Sequence, residues 1–375
     1  MRQKKQMLAV LLMLLFFLHI SMPAFAAVTE NQLKTAVEGS AASMLQTIKA
    51  PQFGSIGGEW AIIGLVRSGA AVPQYYRDTY YANVESYVRA QNGVLHTRKY
   101  TEYSRAILAL TVIGKNPANV AGYNLLTPLG DFDKTIAQGI NGPVWALLAL
   151  DCGQYAMPVN QAAKTQATRQ LYVDEILSRQ LDCGGWNLTA KGGSGAADAD
   201  VTGMVLQALA AYQQQPAVKN AIAQALNCLS DLQQADGGFG SSAESTAQVQ
   251  VALSALGIGQ NDVRFVKNGH TVLDGLLQYR QADGSFIHTT DGTGSEQMAS
   301  EQGLYAMAAA LRAMQGKTGL YDMSDVTNQT TAAENKTEHS AALSRPVTLT
   351  EQQQRMLDYA LAQLICNGSG YPWIR

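Results

Sequence analysis

Asp198, Asp200 and Thr202 stand at every second residue at the head of a helical run, DADVTGMVLQALAAY. Two carboxyls this close suit acid chemistry. Burial and a neighbouring like charge raise a carboxyl's pKa, and a neutral carboxyl can donate a proton near neutral pH. These three residues form the candidate catalytic set. The same residue types also open helices, where an aspartate accepts backbone N–H bonds and lies at the positive end of the helix dipole. For Asp200 the residue types favour the helix-start role over acid catalysis.

Other chemistries find less support. Glu301 and Gln302 head another helical run, at the position that Thr202 holds in its own. Trp60, Tyr103, Trp145 and Tyr305 fall within similar runs and, with Glu301 and Gln302, are candidates to line a central cavity. Cys152, Cys183, Cys228 and Cys366 lack zinc-site spacing and contain no Cys-x-x-Cys; in an oxidising location they could form two disulfides in any of three pairings. Neither a metal site nor a cofactor is expected. The glycine-rich KGGSGA at Lys191 lacks the arrangement of a phosphate loop and reads as a turn extension. A contiguous serine nucleophile elbow is absent, whereas a Ser-His-Asp set assembled in space stays open, because triads need not be contiguous.

The elements that must position these residues repeat along the chain. Six Ala- and Leu-rich segments recur, GGEWAIIGLVRSG, TEYSRAILALTVIG, NGPVWALLALDCG, DADVTGMVLQALAAY, ESTAQVQVALSALGIG and SEQGLYAMAAALRAM. Aligned at Gly64, Ala109, Ala149, Ala208, Ser254 and Ala308, they are spaced at intervals of 40 to 59 residues. Each is apolar on more than one face, which marks a buried helix, since a surface helix keeps a wide polar face. More polar helical stretches such as QATRQLYVDEILSRQL and AVKNAIAQALNCLSDLQQ lie between them and read as an outer layer. A recurring turn, QLDCGGWN, QQADGGFG and RQADGSFI, joins outer helix to inner. Its glycine accepts left-handed backbone geometry, and the aromatic after it, Trp186, Phe239 or Phe286, can cover the turn. Six helix pairs could close into a ring, stay an open solenoid or split into two three-repeat domains.

The ends have a different texture. A basic patch, an apolar run from Met7 to Ile20 and small residues around Ala24 and Ala26 predict a signal peptide over residues 1–26 and hence secretion or display at the cell surface. No later segment reads as membrane-spanning. Removing Arg2, Lys4 and Lys5 shifts the formal charge from -2 to -5, which argues against nucleic acid as a partner. Residues 27–321 carry the repeats. Residues 322–346, rich in Thr, Asn, Ser and Ala, are expected to be a flexible loop, and 347–375 a C-terminal helix closing the molecule. Asn187, Asn328, Asn335 and Asn367 match a glycosylation pattern read as incidental.

The Asp-Gly-Gly-aromatic turns before Ala/Leu-rich helices resemble the prenyltransferase and squalene-cyclase repeat superfamily. The resemblance spans most of residues 30 to 321 and is strongest from Gln180 to Arg312. It implies an all-α fold, an α/α toroid of six inner and six outer helices. Similar modules occur in secreted bacterial surface proteins and in extracellular cobalamin carriers. In class II terpene cyclases an Asp-x-Asp-Asp-Thr motif supplies the acid. The matching residues here are Asp198, Ala199, Asp200, Val201 and Thr202, so Asp200 holds the place of the proton donor and Val201 replaces the third aspartate. The zinc ligands of protein prenyltransferases and the magnesium motif of class I synthases are not found. Ser300, Glu301 and Gln302 resemble the Glu-Gln of complement-type thioester domains without the preceding cysteine. The expectation is an extracellular binding protein for an apolar small molecule, a peptide or a surface polymer. The alternatives are a terpene-cyclase-like isomerase using Asp200 with Asp198 and Thr202, and a structural surface scaffold.

Overall fold

In a computed structural model, residues 27–189, 191–292 and 296–326 are described. The expected signal peptide over 1–26, the loop from 327 to 346, the helix over 347–375 and Cys366 lie outside these residues.

Among the described residues, twelve α-helices alternate between two layers. The outer helices are α1 (Glu30–Thr47), α3 (Gln74–Ala90), α5 (Phe132–Ile136), α7 (Arg169–Ser178), α9 (Pro216–Leu232) and α11 (Val272–Leu277). The inner helices are α2 (Trp60–Arg67), α4 (Thr101–Val112), α6 (Asn141–Cys152), α8 (Ala199–Leu209), α10 (Ala243–Ala255) and α12 (Glu296–Met314). All six recurring segments form inner helices. Their burial follows from their composition: in α6 every residue from Gly142 to Leu150 is buried, so no polar face faces water. Outer helices bury one stripe each, such as Tyr76, Tyr80, Val84 and Val88 of α3 at four-residue spacing.

The inner layer closes. Each inner helix packs on the next, from α2 through α4, α6, α8 and α10 to α12, and α12 packs back on α2. Helix α1 covers this seam, packing on both α12 and α2. A capping box of Thr29 and Gln32 starts it.

Each recurring turn docks on the next outer helix around the ring. A Cβ on Gly184, at φ +89°, would lie 2.7 Å from the Gln224 carbonyl oxygen of α9. The equivalent Gly237 and Gly284 meet Thr271 before α11 and Gly39 of α1 in the same way. Only glycine permits both the backbone geometry and this approach. Side chains reinforce the docking. Gln180 Nε2 donates to Gly184 and Ala221 carbonyls at 2.7 and 2.9 Å, and Gln233 Nε2 to Gly237 and Phe265, each at 3.0 Å. Arg280, third in this series, donates from Nε to Ser40 Oγ of α1 at 3.0 Å, tying the last repeat to the first. The turn aromatics Trp186, Phe239 and Phe286 are fully buried, so they serve as core and face no ligand.

After α12 the chain crosses the C-terminal end of the ring as a strap. Arg67 at the end of α2 donates to Asp325 Oδ1 at 2.7 Å and to the Asp322 carbonyl at 2.8 Å, while Arg312 of α12 donates to Asp325 Oδ2 at 2.7 Å. The Met323 N–H donates to the Cys152 carbonyl of α6 at 2.9 Å. Residues 322–326, expected as the start of a flexible loop, are therefore anchored. Composition suggests mobility here because the two arginines that hold the strap lie in distant helices.

Candidate functional site

The acidic motif lies at the N-terminal end of α8. Asp198 occupies the N-cap position; its N–H donates to the Trp186 carbonyl at 2.8 Å, its carbonyl accepts from the Thr202 N–H at 2.9 Å, and its side chain makes no capping bond. Asp200 is half-buried within the first turn rather than at the cap. Burial first, and then the charge of Asp198, hold its carboxyl above the usual range, against backbone N–H bonds that lower it. Thr202 is fully buried. Its Oγ1 accepts from the Trp186 N–H at 3.0 Å and donates to the Trp186 carbonyl at 3.2 Å. Thr246 clamps Phe239 and Ser300 clamps Phe286 in the same manner, with N–H···O distances of 3.0 and 2.8 Å. Thr202 thus fastens a turn to an inner helix, in a role repeated twice more around the ring.

Three of the four candidate aromatics pack on one another inside the ring. Trp60 packs against Trp145 with centroids 4.9 Å apart and against Tyr305 at 6.1 Å, and Trp145 meets Tyr321 of the strap at 6.0 Å. A polar chain crosses the same region. Gln207 Nε2 donates to Gln248 Oε1 at 2.9 Å, and Gln248 Nε2 donates to Tyr305 Oη at 2.6 Å and Gln302 Oε1 at 3.0 Å. Gln302 is thereby a strut between inner helices. Tyr103 is buried, accepts the Leu95 N–H at 3.0 Å and borders a separate depression of about 410 Å³ near His96 and Lys134.

Glu301 is fully buried as well. It accepts the Gly57 N–H at 2.7 Å and Gln297 Nε2 at 2.8 Å, and burial pushes its carboxyl up to about 7. Glu59, equally buried, accepts the Gly54 N–H at 2.9 Å and Tyr80 Oη at 3.2 Å, with Arg105 Nε at 3.5 Å. The two carboxyls hold the irregular segment from Gly54 to Gly58 against the N-terminal ends of α2 and α12. This structural duty replaces the expected place of Glu301 in a cavity wall.

A cavity of about 640 Å³ opens at the other end of the ring. The C-terminal parts of α6, α8 and α10 supply Leu148, Ala208 and Val251 as an apolar wall, and Leu320 and Tyr321 of the strap cover it. One side is polar. Arg169 at the start of α7 donates to Asp151 Oδ1 at 2.7 Å and to the Leu150 and Tyr155 carbonyls at 3.1 and 2.7 Å. Tyr212 Oη donates to Asp151 Oδ2 at 2.7 Å. Gln154 and the exposed Asp322 complete this side. Eight residues along α8 separate Asp200 from Ala208, about 12 Å at the helical rise, so the acidic motif and the cavity lie at opposite ends of one helix. The sequence reading missed the cavity residues because Asp151 and Arg169 form no motif and meet only through the fold. Among the described residues no group of three His, Cys, Asp or Glu side chains is placed to hold a metal.

The three described cysteines are free thiols. Cys152 is buried, donates to the Ala149 carbonyl at 3.2 Å, and burial pushes its thiol up to about 12.

Among the described residues, six inner and six outer helices alternating around a closed ring define an α/α toroid. In structure the chain is similar to a substituted form of the type II terpene cyclase MstE from Scytonema, solved with its substrate geranylgeranyl dihydroxybenzoate. The TM-score is 0.44 and the identity 14%, with 79% of this chain and 98% of that chain covered. No family model matches the sequence. No curated protein matches it either.

Proposed function

We propose that the protein is an extracellular binding module that holds a partly apolar ligand at the C-terminal end of its toroid and releases it unchanged. The observation that carries this reading is the division of the ring. Beside the acidic motif Thr202 is buried and committed to a turn, whereas a cavity of about 640 Å³ lies at the end under the strap. The apolar wall would take the body of a small molecule, a peptide side chain or a polymer unit, and the Asp151–Arg169 side its polar end. The placement outside the cell rests on the N-terminal residues 1–26, and among the described residues no helix is long and apolar enough to cross a membrane. The test is retention of molecules from a cellular extract by the purified protein, identified by mass spectrometry against a denatured control. Repeated recovery of nothing above the control refutes the binding reading and leaves a structural scaffold.

A second reading, a terpene-cyclase-like isomerase with Asp200 as acid and Asp198 and Thr202 beside it, is favoured by one observation. Burial keeps the Asp200 carboxyl above its ordinary range, the condition a proton donor requires. Its test is conversion of a linear isoprenoid to cyclic product between acidic and neutral pH, abolished by D200N in a folded protein. Unchanged isoprenoid throughout that range refutes it.

A further inference from the structure

Cys183 and Cys228 lie in two elements that the docking of the first turn brings together. Cys183 precedes Gly184, whose Cβ would touch Gln224, and Gly185, whose Cβ would lie 3.0 Å from Cys228 Sγ. The next repeat supplies an internal comparison. Gly238 holds the place of Gly185, and its Cβ would meet Thr246 Oγ1 at 3.4 Å and Gln278 Nε2 at 3.3 Å, as that of Gly185 meets Thr202 Oγ1 and Cys228 Sγ. Cys183 therefore corresponds to Asp236, while Cys228 and Gln278 each reach the turn from the outer element on which it docks. Asp236 and Gln278 are bonded to each other, Gln278 Nε2 donating to Asp236 Oδ2 at 3.2 Å. In both repeats a side chain of the outer element thus approaches the second glycine of the turn, Gln278 with Asp236 as its partner in one and Cys228 with Cys183 at the place of Asp236 in the other.

We propose that Cys183 and Cys228 form a disulfide that fastens the first turn to α9. Cys183 is exposed and Cys228 buried, so an external disulfide reaches Cys183 first. The Cys183 thiolate attacks one sulfur of that reagent, forming a mixed disulfide and expelling one thiol. Cys228 then gives up its proton and attacks the Cys183 sulfur, and the second thiol departs. In sum two protein thiols become one disulfide and the external disulfide is reduced to two thiols. Burial first, and then the neighbouring Cys183, push the Cys228 thiol up to about 12, which makes it the resolving partner. The closed loop runs from 183 to 228, a span of 45 residues, and contains α8 with Asp198, Asp200 and Thr202. Oxidation would lock this part of the ring.

The test treats the purified full chain with oxidised glutathione under native conditions, alkylates remaining thiols at acid pH, and maps the peptides by mass spectrometry. The expected product is a Cys183–Cys228 linked peptide in most molecules. Reduction should then lower the melting midpoint by about 5 °C or more, the scale for opening a loop of this length. C183S, which alters an exposed side chain, should melt at the same temperature with and without reductant. Recovery of Cys228 as an alkylated thiol, of Cys183 as a lasting glutathione adduct, or of either linked to Cys366 overturns the assignment.

Discussion

Replacing Thr202 with valine keeps the shape of a buried side chain and deletes one oxygen. Two hydrogen bonds go with it, the N–H of Trp186 to Oγ1 at 3.0 Å and Oγ1 to the carbonyl of Trp186 at 3.2 Å. Their losses are unequal. The Trp186 carbonyl keeps the Asp198 N–H at 2.8 Å, so it stays satisfied. The Trp186 N–H, within a fully buried residue, is left without an acceptor. An orphaned buried amide costs about 1–3 kcal/mol and the second bond about 1 kcal/mol, giving a total of about 2–4 kcal/mol for T202V. In a chain of this size that is a fall of about 3–6 °C in melting midpoint. T202S retains the oxygen and loses one methyl, about 1 kcal/mol. T246V should behave like T202V, because Thr246 clamps Phe239 by the same N–H bond. Urea melts of the three variants decide the matter. A T202V protein within about 0.5 kcal/mol of wild type, or a T202S as unstable as T202V, would refute the clamp and reopen a chemical role for Thr202.

Two other perturbations read different parts of the ring. Glu301 has a carboxyl raised to about 7, so between about 4.5 and 7 the folded state binds more protons than the unfolded state. Its contribution is present below that window and is lost as pH rises through about 7. The melting midpoint should therefore climb from pH 8 to pH 5, and E301Q should flatten the slope and raise the midpoint at pH 8. Glu59 and Asp200 are shifted the same way, so some slope remains. A midpoint that falls between pH 8 and 5 contradicts the buried placement. Arg67→Met removes the buried cation that holds the strap and should cost about 3 kcal/mol, with faster tryptic cleavage after Lys317. Unaltered cleavage would mean that the strap is held by other groups.

The inner helices were legible because their signal is local: Ala and Leu on every face allow only burial. The turns were legible because glycine before an aromatic marks a helix end wherever it falls. Ring closure was not, since it depends on α12 meeting α2 and on Arg280 reaching Ser40, contacts between the two ends of the repeat array. Helix α5, only Phe132–Ile136, left too short a pattern to read. Trp60, Trp145 and Tyr305 read from the sequence as candidates to line a cavity, but whether an interior is hollow depends on how rings interleave, and here they meet in tilted and edge-on contacts. The acidic motif was visible as a string of residues, whereas its distance from any cavity required the direction of α8. Asp151 and Arg169 carried no pattern because an ion pair across a loop has none.

The account turns on which end of the toroid holds the ligand. Ala211 is exposed and borders the cavity, so Ala211→Trp fills that space without disturbing the core, whereas D200N alters only the opposite end. Extract retention by wild type, A211W and D200N, each confirmed folded by its melt, separates the two. Wild type and D200N should recover the same molecules and A211W none. Recovery by A211W equal to wild type, or its loss in a folded D200N, would contradict the placement of the site beneath the strap.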